Sequence, residues 1–130
     1  MIYGNGDKYE GNWVGDKKDG YGTMIYVNGA KFEGNWIGDQ KEGYGIMLYK
    51  NGDKYEGKWV KDKREGKGVY YFSDCRYEGD FIDGKREGEG IIYYDDGSKE
   101  IGIFLEDEIS EEKKVFIDQD WKVVENSIIE

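Results

Sequence analysis

Tyr55-Glu56-Gly57-Lys58-Trp59-Val60, followed by Glu65-Gly66-Lys67-Gly68 and Phe72, is one copy of a unit that recurs from near the first residue to about Phe104. The unit reads aromatic-Glu-Gly-x-aromatic, a charged connector, Gly-x-Gly, a short apolar run, an aromatic and an Asn/Asp-Gly turn. Its leading aromatics are Tyr9, Phe32, Tyr55 and Tyr77, so successive copies are spaced by 23, 23 and 22 residues. A fixed period in the twenties marks a repeat array rather than one globular core.

Each copy holds two short strands. The first is Lys8–Val14, with relatives at 31–37, 54–60 and 76–82. Alternation puts Tyr9, Gly11 and Trp13 on one face and Glu10, Asn12 and Val14 on the other. Gly11 lies between two rings, which lets a ring cover bare backbone; the same holds for Gly34, Gly57 and Gly79. The connectors, from Gly15 to Gly20, Gly38 to Gly43, Lys61 to Gly66 and Asp83 to Gly88, are charged and close on glycine, as hairpin loops do. The second strands begin at the Gly-x-Gly pairs Gly20/Gly22, Gly43/Gly45, Gly66/Gly68 and Gly88/Gly90. Runs such as Ile46-Met47-Leu48-Tyr49 follow, apolar on both faces, so a sheet with one solvated face does not fully account for them. Asn5-Gly6, Asn28-Gly29, Asn51-Gly52 and Asp96-Gly97 are tight-turn signals.

Two copies depart from this pattern. The turn at Phe72-Ser73-Asp74-Cys75 is one residue short and is expected to be distorted. The last copy has Glu100 where an aromatic leads, then Gly102 and Phe104, as in a terminal half-repeat. At the other end, Met1-Ile2-Tyr3-Gly4-Asn5-Gly6 aligns with Met24–Gly29. The array therefore opens on the second half of a copy, and its first edge is expected to be exposed.

Composition narrows the rest. In 130 residues, apolar and charged types make up 37% each and aromatics 16%, so the core has to be built from rings. The 21 glycines recur in register, which makes them structural rather than linker. The net charge of −10 is uneven: residues 1–104 carry 16 basic and 20 acidic side chains, residues 105–130 carry 3 and 9. Neither part has the basic footprint of nucleic-acid binding, and charge alone does not favour anionic lipid. No apolar run reaches spanning length and no signal-peptide pattern is present. One cysteine allows no internal disulfide, which suits a reduced, cytoplasmic protein.

Residues 1–104 thus read as the repeat array and 105–130 as an acidic tail. In the tail, Ile117, Trp121, Val124 and Ile128 fall on one helical stripe, with Ser110 and two glutamates suited to a helix start. A helix is the expectation; a hairpin through Val115–Ile117 and Trp121–Val124 is the alternative, against which Asp118-Gln119-Asp120 offers no glycine. The stripe either covers the end of the sheet or anchors a partner through Trp121.

The unit resembles the MORN repeat (membrane occupation and recognition nexus), from Tyr3 to about Phe104. That resemblance implies an all-β fold: an elongated, single-layer antiparallel sheet of stacked hairpins. It also implies a targeting or assembly module of the kind found in junctophilins, phosphatidylinositol-phosphate kinases and radial spoke head proteins, where catalysis lies in other domains. Carried over by position, a protein-binding groove would be lined by Tyr9, Trp13, Tyr26, Phe32, Trp36, Tyr49, Tyr55, Trp59, Phe72, Tyr77, Phe81 and Tyr94. The acids Glu10, Glu33, Glu56 and Glu78 match the polar position. Rings at equivalent strand positions read first as a core, and a ring-lined concave face is in addition a candidate peptide groove.

Chemistry has little to work with. There is no histidine, and a single cysteine excludes a thiolate zinc site from this chain alone. Arg76 beside Cys75 would lower its thiol pKa, but a cysteine in a turn with no base nearby reads rather as inert. Gly-x-Gly here opens strands, unlike the dinucleotide fingerprint, which opens a helix. No catalytic, metal or cofactor role is expected. A non-catalytic scaffold is, with a helix or strand of another protein docking on the sheet or at its N-terminal edge, in the cytoskeleton or a ciliary axoneme. The alternative is a phosphoinositide or membrane-surface module using Lys17-Lys18, Lys63-Arg64 and Lys85-Arg86.

Overall fold

The computed structural model describes residues 1–126. Nine long strands follow one another as an antiparallel meander: β1 (Lys8–Val14), β2 (Lys17–Ile25), β3 (Lys31–Ile37), β4 (Gln40–Leu48), β5 (Lys54–Val60), β6 (Lys63–Tyr71), β7 (Cys75–Ile82), β8 (Lys85–Tyr94) and β9 (Lys99–Leu105). Beyond β9 come β10 (Glu108–Ile109), a single 3-10 turn over Glu111–Lys113, β11 (Val115–Ile117) and β12 (Val123–Asn126). Both β10 and β11 pair with β9, and β12 pairs with β11, so one open sheet holds every strand.

The first strand of each copy lies where alternation put it. The second strands start three residues before the Gly-x-Gly, because the connectors shrink to two-residue turns such as Gly15-Asp16 and Lys61-Asp62. The extra length is absorbed by a bulge. Gly11 pairs with Gly22 but Trp13 pairs with Lys18, leaving Asn12 opposite three residues; the pattern repeats after Gly34 and Gly57. Such a kink needs left-handed backbone. The first glycine of each Gly-x-Gly supplies it, with φ of 98° at Gly20, 74° at Gly43, 71° at Gly66 and 73° at Gly88.

The second glycine has another task. Pairing Gly11–Gly22–Gly34–Gly45–Gly57–Gly68–Gly79–Gly90–Gly102 runs unbroken across nine strands. At about 4.8 Å per strand that is a bare stripe about 38 Å long. The leading rings lie flat on it. A Cβ on Gly45 would overlap Phe32 Cζ, one on Gly68 would overlap the Tyr55 hydroxyl, and one on Gly57 would stand 2.6 Å from the same hydroxyl.

Rings then lock to rings. Tyr9–Trp36, Phe32–Trp59, Tyr55–Phe81 and Tyr77–Phe104 meet edge-to-face between copies, with centroids 5.7, 5.3, 5.0 and 4.8 Å apart. Trp36 and Trp59 also donate their indole N–H to the carbonyls of Gly22 and Gly45 in the preceding copy, at 3.3 and 3.2 Å. Trp13 has no such strand before it among the described residues. It is 36% exposed, against 3% for Trp36 and Trp59. The first edge is open over most of its length: among the described residues only Met1 and Ile2 reach it, at Lys8 and Tyr9.

The short turn is distorted as expected, closed by Phe72 N–H donating to Cys75 O at 2.8 Å, where full-length turns bond Tyr26 to Ala30 and Tyr49 to Asp53.

The helix expected in the tail is not formed; the hairpin alternative is. β11 pairs with β9 on one side and β12 on the other. The missing glycine is replaced by Trp121 itself, which takes φ 65°, and by the Asp118 carboxylate, which accepts the N–H groups of Asp120 and Lys122 at 3.0 Å each. Ser110 precedes only the 3-10 turn and gives it no side-chain cap. An open β9 edge offers a row of backbone partners that a helix could not use. Phe116 then stands opposite Glu100 and restores a ring beside Tyr94. Ile128 lies outside the described residues, as does the side chain of Val124.

Candidate functional site: the two faces of the sheet

The face carrying the rings is a core. Tyr9, Phe32, Trp36, Tyr55, Trp59, Tyr77 and Phe81 are buried, with Phe104 and Met24 among them. Tyr26, Tyr49 and Phe72 are half-buried and pack against this cluster; Tyr94 is half-buried near Phe116. Of the residues assigned by position to a groove, Trp13 is the most open.

Cations close the core from above. Lys18, Lys41, Arg64 and Arg86 recur at one place in each connector. Lys18 stands 5.1 Å from the Trp36 ring, Lys41 5.4 Å from Phe32 and from Trp36, Arg64 5.5 Å from Phe81, and Arg86 5.4 Å from Phe104. Cations over ring faces are attracted by the π-quadrupole. Burial lowers the Lys41 ammonium pKa, and the Asp62 carboxylate 3.5 Å away opposes that shift.

The same connectors clamp copy to copy. Asp39, Asp62 and Asp107 accept the backbone N–H of Lys18, Lys41 and Arg86 at 2.8, 2.9 and 2.9 Å. In return Glu42, Glu65 and Glu87 each accept a turn N–H from the next copy at 2.9 Å. Connectors read as plain loops in the sequence are thus the joints between repeats. The signal was available, since a cation recurs there in step with the rings.

Burial also sets the protonation of the core. It pushes Tyr26 and Tyr77 up to about 12 and Tyr55 higher still. The Cys75 thiol takes the inert alternative rather than the lowered pKa that Arg76 suggests: burial first, then its hydrogen bond to Asp74, raise it to about 11. It is no thiolate nucleophile near neutrality. Among the described residues no group of three or more His, Cys, Asp or Glu could hold a metal ion.

The opposite face, here the back face, is where apolar surface meets solvent. Within β2–β9 every strongly exposed large hydrophobic lies on it: Tyr21, Ile25, Ile37, Tyr44, Leu48, Ile82, Ile101, Ile103 and Leu105. Its rows alternate in chemistry. Glu10, Thr23, Glu33, Ile46, Glu56, Val69, Glu78 and Ile91 are successive cross-strand neighbours. Lys8, Lys31 and Lys54 pair with the glutamates two residues on, at 2.9, 2.9 and 2.8 Å. Between this row and the next lies the glycine stripe, seen from behind as bare backbone. Two cavities open along it, of about 570 Å³ over β4–β7 and about 610 Å³ over β6–β11. They share Lys67, Glu78 and Gly79 and so form one trough.

Among the described residues no helix is long and apolar enough to cross a membrane. Residues 9–31, 32–54, 55–74 and 77–99 each match the MORN repeat. No curated protein matches the chain.

Proposed function

The chain belongs to the MORN repeat family, a non-catalytic repeat module for protein or membrane interaction, and from that premise we propose that it is a protein-binding scaffold whose partner lies on the back face. One observation carries this reading. The apolar side chains left exposed on β2–β9 all share the face that bears the trough, while the ring face is filled and roofed by its own cations. Contiguous exposed apolar surface marks an interaction site.

The lipid alternative draws less support. Lys18, Arg64 and Arg86 of the three basic pairs lie over rings, and Arg86 is tied to Asp107 at 3.3 Å. Only Lys17, Lys63 and Lys85 project outward, and Lys63 faces Asp83 at 3.8 Å. We further propose a cytoskeletal setting, the ciliary axoneme included, on the likeness of a small array of this kind to assembly proteins of that setting.

The test is affinity purification with cross-linking from native cells, using Tyr44→Lys and Ile37→Glu beside the unaltered chain. Both variants keep the ring face intact and are expected to fold and to lose their cross-linked partners. Retention of every partner by both would overturn the back-face reading. Recovery of anionic vesicles in place of proteins would favour the lipid alternative.

A further inference from the structure

The trough is not uniform along its length, and its C-terminal end departs from the repeat. At the position of Glu10, Glu33, Glu56 and Glu78 the last copy has Ile101, and at the position of Asn12, Asn35, Lys58 and Asp80 it has Ile103. Ile91, Ile101 and Val115 are therefore consecutive cross-strand neighbours with no acid between them. Together with Ile103 they wall the 610 Å³ cavity on both sides of the glycine stripe. Ile101 and Ile103 are 37% and 39% exposed, so nothing in the described chain fills it. At the rim stand two acids. Glu89 is exposed and has no ion pair among the described residues, and Glu78 meets Arg76 only at 3.9 Å. The one cation of the rim, Lys67, is already held by Asp80 at 3.0 Å.

Resting on the back-face reading, we propose that this cavity is the anchor pocket for a basic amphipathic helix of a partner protein. A bulky aliphatic or aromatic side chain enters between Ile101, Ile103 and Val115, and a lysine or arginine of the same helix meets Glu89 and Glu78. Two features favour a helix. The trough crosses strands whose peptide groups are already paired on both sides, so an extended segment lying there would leave its own backbone unsatisfied, whereas a helix satisfies its backbone internally. The spacing also suits one. Along the trough Ile46, Val69 and Ile91 recur on every second strand, about 9.5 Å apart, close to the rise of seven helical residues, about 10.5 Å. Glu56, which holds Lys54 at 2.8 Å, and Glu78 fall midway between them, so the matching helix has an apolar residue every seventh position and a cation three or four residues after it. The cation opposite Glu78 meets the less tightly paired acid.

A fluorescein-labelled synthetic helix of about eighteen residues built to that pattern is the probe, titrated by anisotropy at about 0.15 M salt, where long-range charge is screened. The full chain is compared with Ile101→Glu, Glu89→Lys and Asp16→Lys. Ile101→Glu installs the residue the other copies carry, so folding is expected to survive, and it should weaken binding about tenfold or more, as loss of an anchor does. Glu89→Lys should weaken it by a similar factor. Asp16→Lys, the same charge change on the distant β1–β2 turn, should leave it within about twofold, and a probe with glutamates for its lysines should not bind. Full affinity in Ile101→Glu, or equal losses in Asp16→Lys and Glu89→Lys, would overturn the anchor pocket. If Tyr44→Lys releases native partners while Ile101→Glu keeps them, the back-face reading stands and the pocket assignment alone fails.

Discussion

The two faces of this sheet are drawn from the same strands, yet one is a core and the other a surface. On the ring face a leading aromatic lies on a glycine of its own strand and one of the next, and a tryptophan or phenylalanine from the following copy closes against it edge-on. On the back face the same strands present Lys-x-Glu pairs alternating with aliphatics, and among the described residues no second layer covers Tyr21, Tyr44 or Ile37. Glycine makes the difference. It thins the sheet, so rings sink into one side while a trough is left on the other. Stability therefore belongs to contacts between neighbouring copies, and binding belongs to the side those contacts leave free.

The strongest way to break that division is to fill the stripe. Gly68→Val would drive a branched side chain into the Tyr55 ring and is expected to cost about 3 kcal/mol or more. Tyr44→Ala, on the back face, should stay within about 1 kcal/mol. Urea midpoints for the pair check this, and equal losses would erase the distinction.

Next comes the contrast between inner and outer copies. Trp36→Ala should cost about 3–5 kcal/mol, since Trp36 is buried and bonded to the preceding copy. Trp13→Ala removes a ring without that neighbour and should cost about 1–2 kcal/mol. Thermal or urea unfolding of the two variants measures the ratio.

Alkali probes the ring face through its buried tyrosines. Tyr26, Tyr70 and Tyr77 are raised to about 12, first by burial. A group whose folded pKa is raised contributes stability in full below its unfolded value, about 10, and that contribution is lost as pH climbs through the folded value. The sheet should hold to about pH 10 and unfold between there and about 12. Absorbance at 295 nm recorded with circular dichroism checks it: the last part of the tyrosine ionisation, towards about pH 12, should coincide with strand loss.

The smallest effect sharpens the account most. Tyr9, Tyr55 and Tyr77 each donate a hydroxyl hydrogen bond at 3.0 Å to the carbonyl three residues on, and Phe32 cannot. Phe32→Tyr should add about 1 kcal/mol through the Asn35 carbonyl, read as a raised urea midpoint.

Much of this was legible in the residues. The first strands fall at Lys8–Val14, Lys31–Ile37 and Lys54–Val60 because alternation and glycine agree there. The second strands begin three residues before the Gly-x-Gly that announces them, since a charged connector looks like a loop until its cation is seen over a ring. The tail misled for a different reason. Spacings of four and three suit a helix in isolation, and only the waiting edge of β9 makes β11 a strand. For the site, the residues that stand out in the sequence are the rings, and these form the buried core; the exposed row that includes Tyr21, Ile37 and Tyr44 on the other face does not stand out. Both faces carry apolar groups, and their burial depends on how copies lean together.

Hydroxyl-radical footprinting of the chain in its native complex tests the division of faces most directly. Protection gained on complex formation at Tyr21, Tyr44, Ile37 and Ile103, with Tyr26, Tyr49 and Phe72 unchanged, is the predicted result. Protection confined to Tyr26, Tyr49 and Phe72 would contradict it.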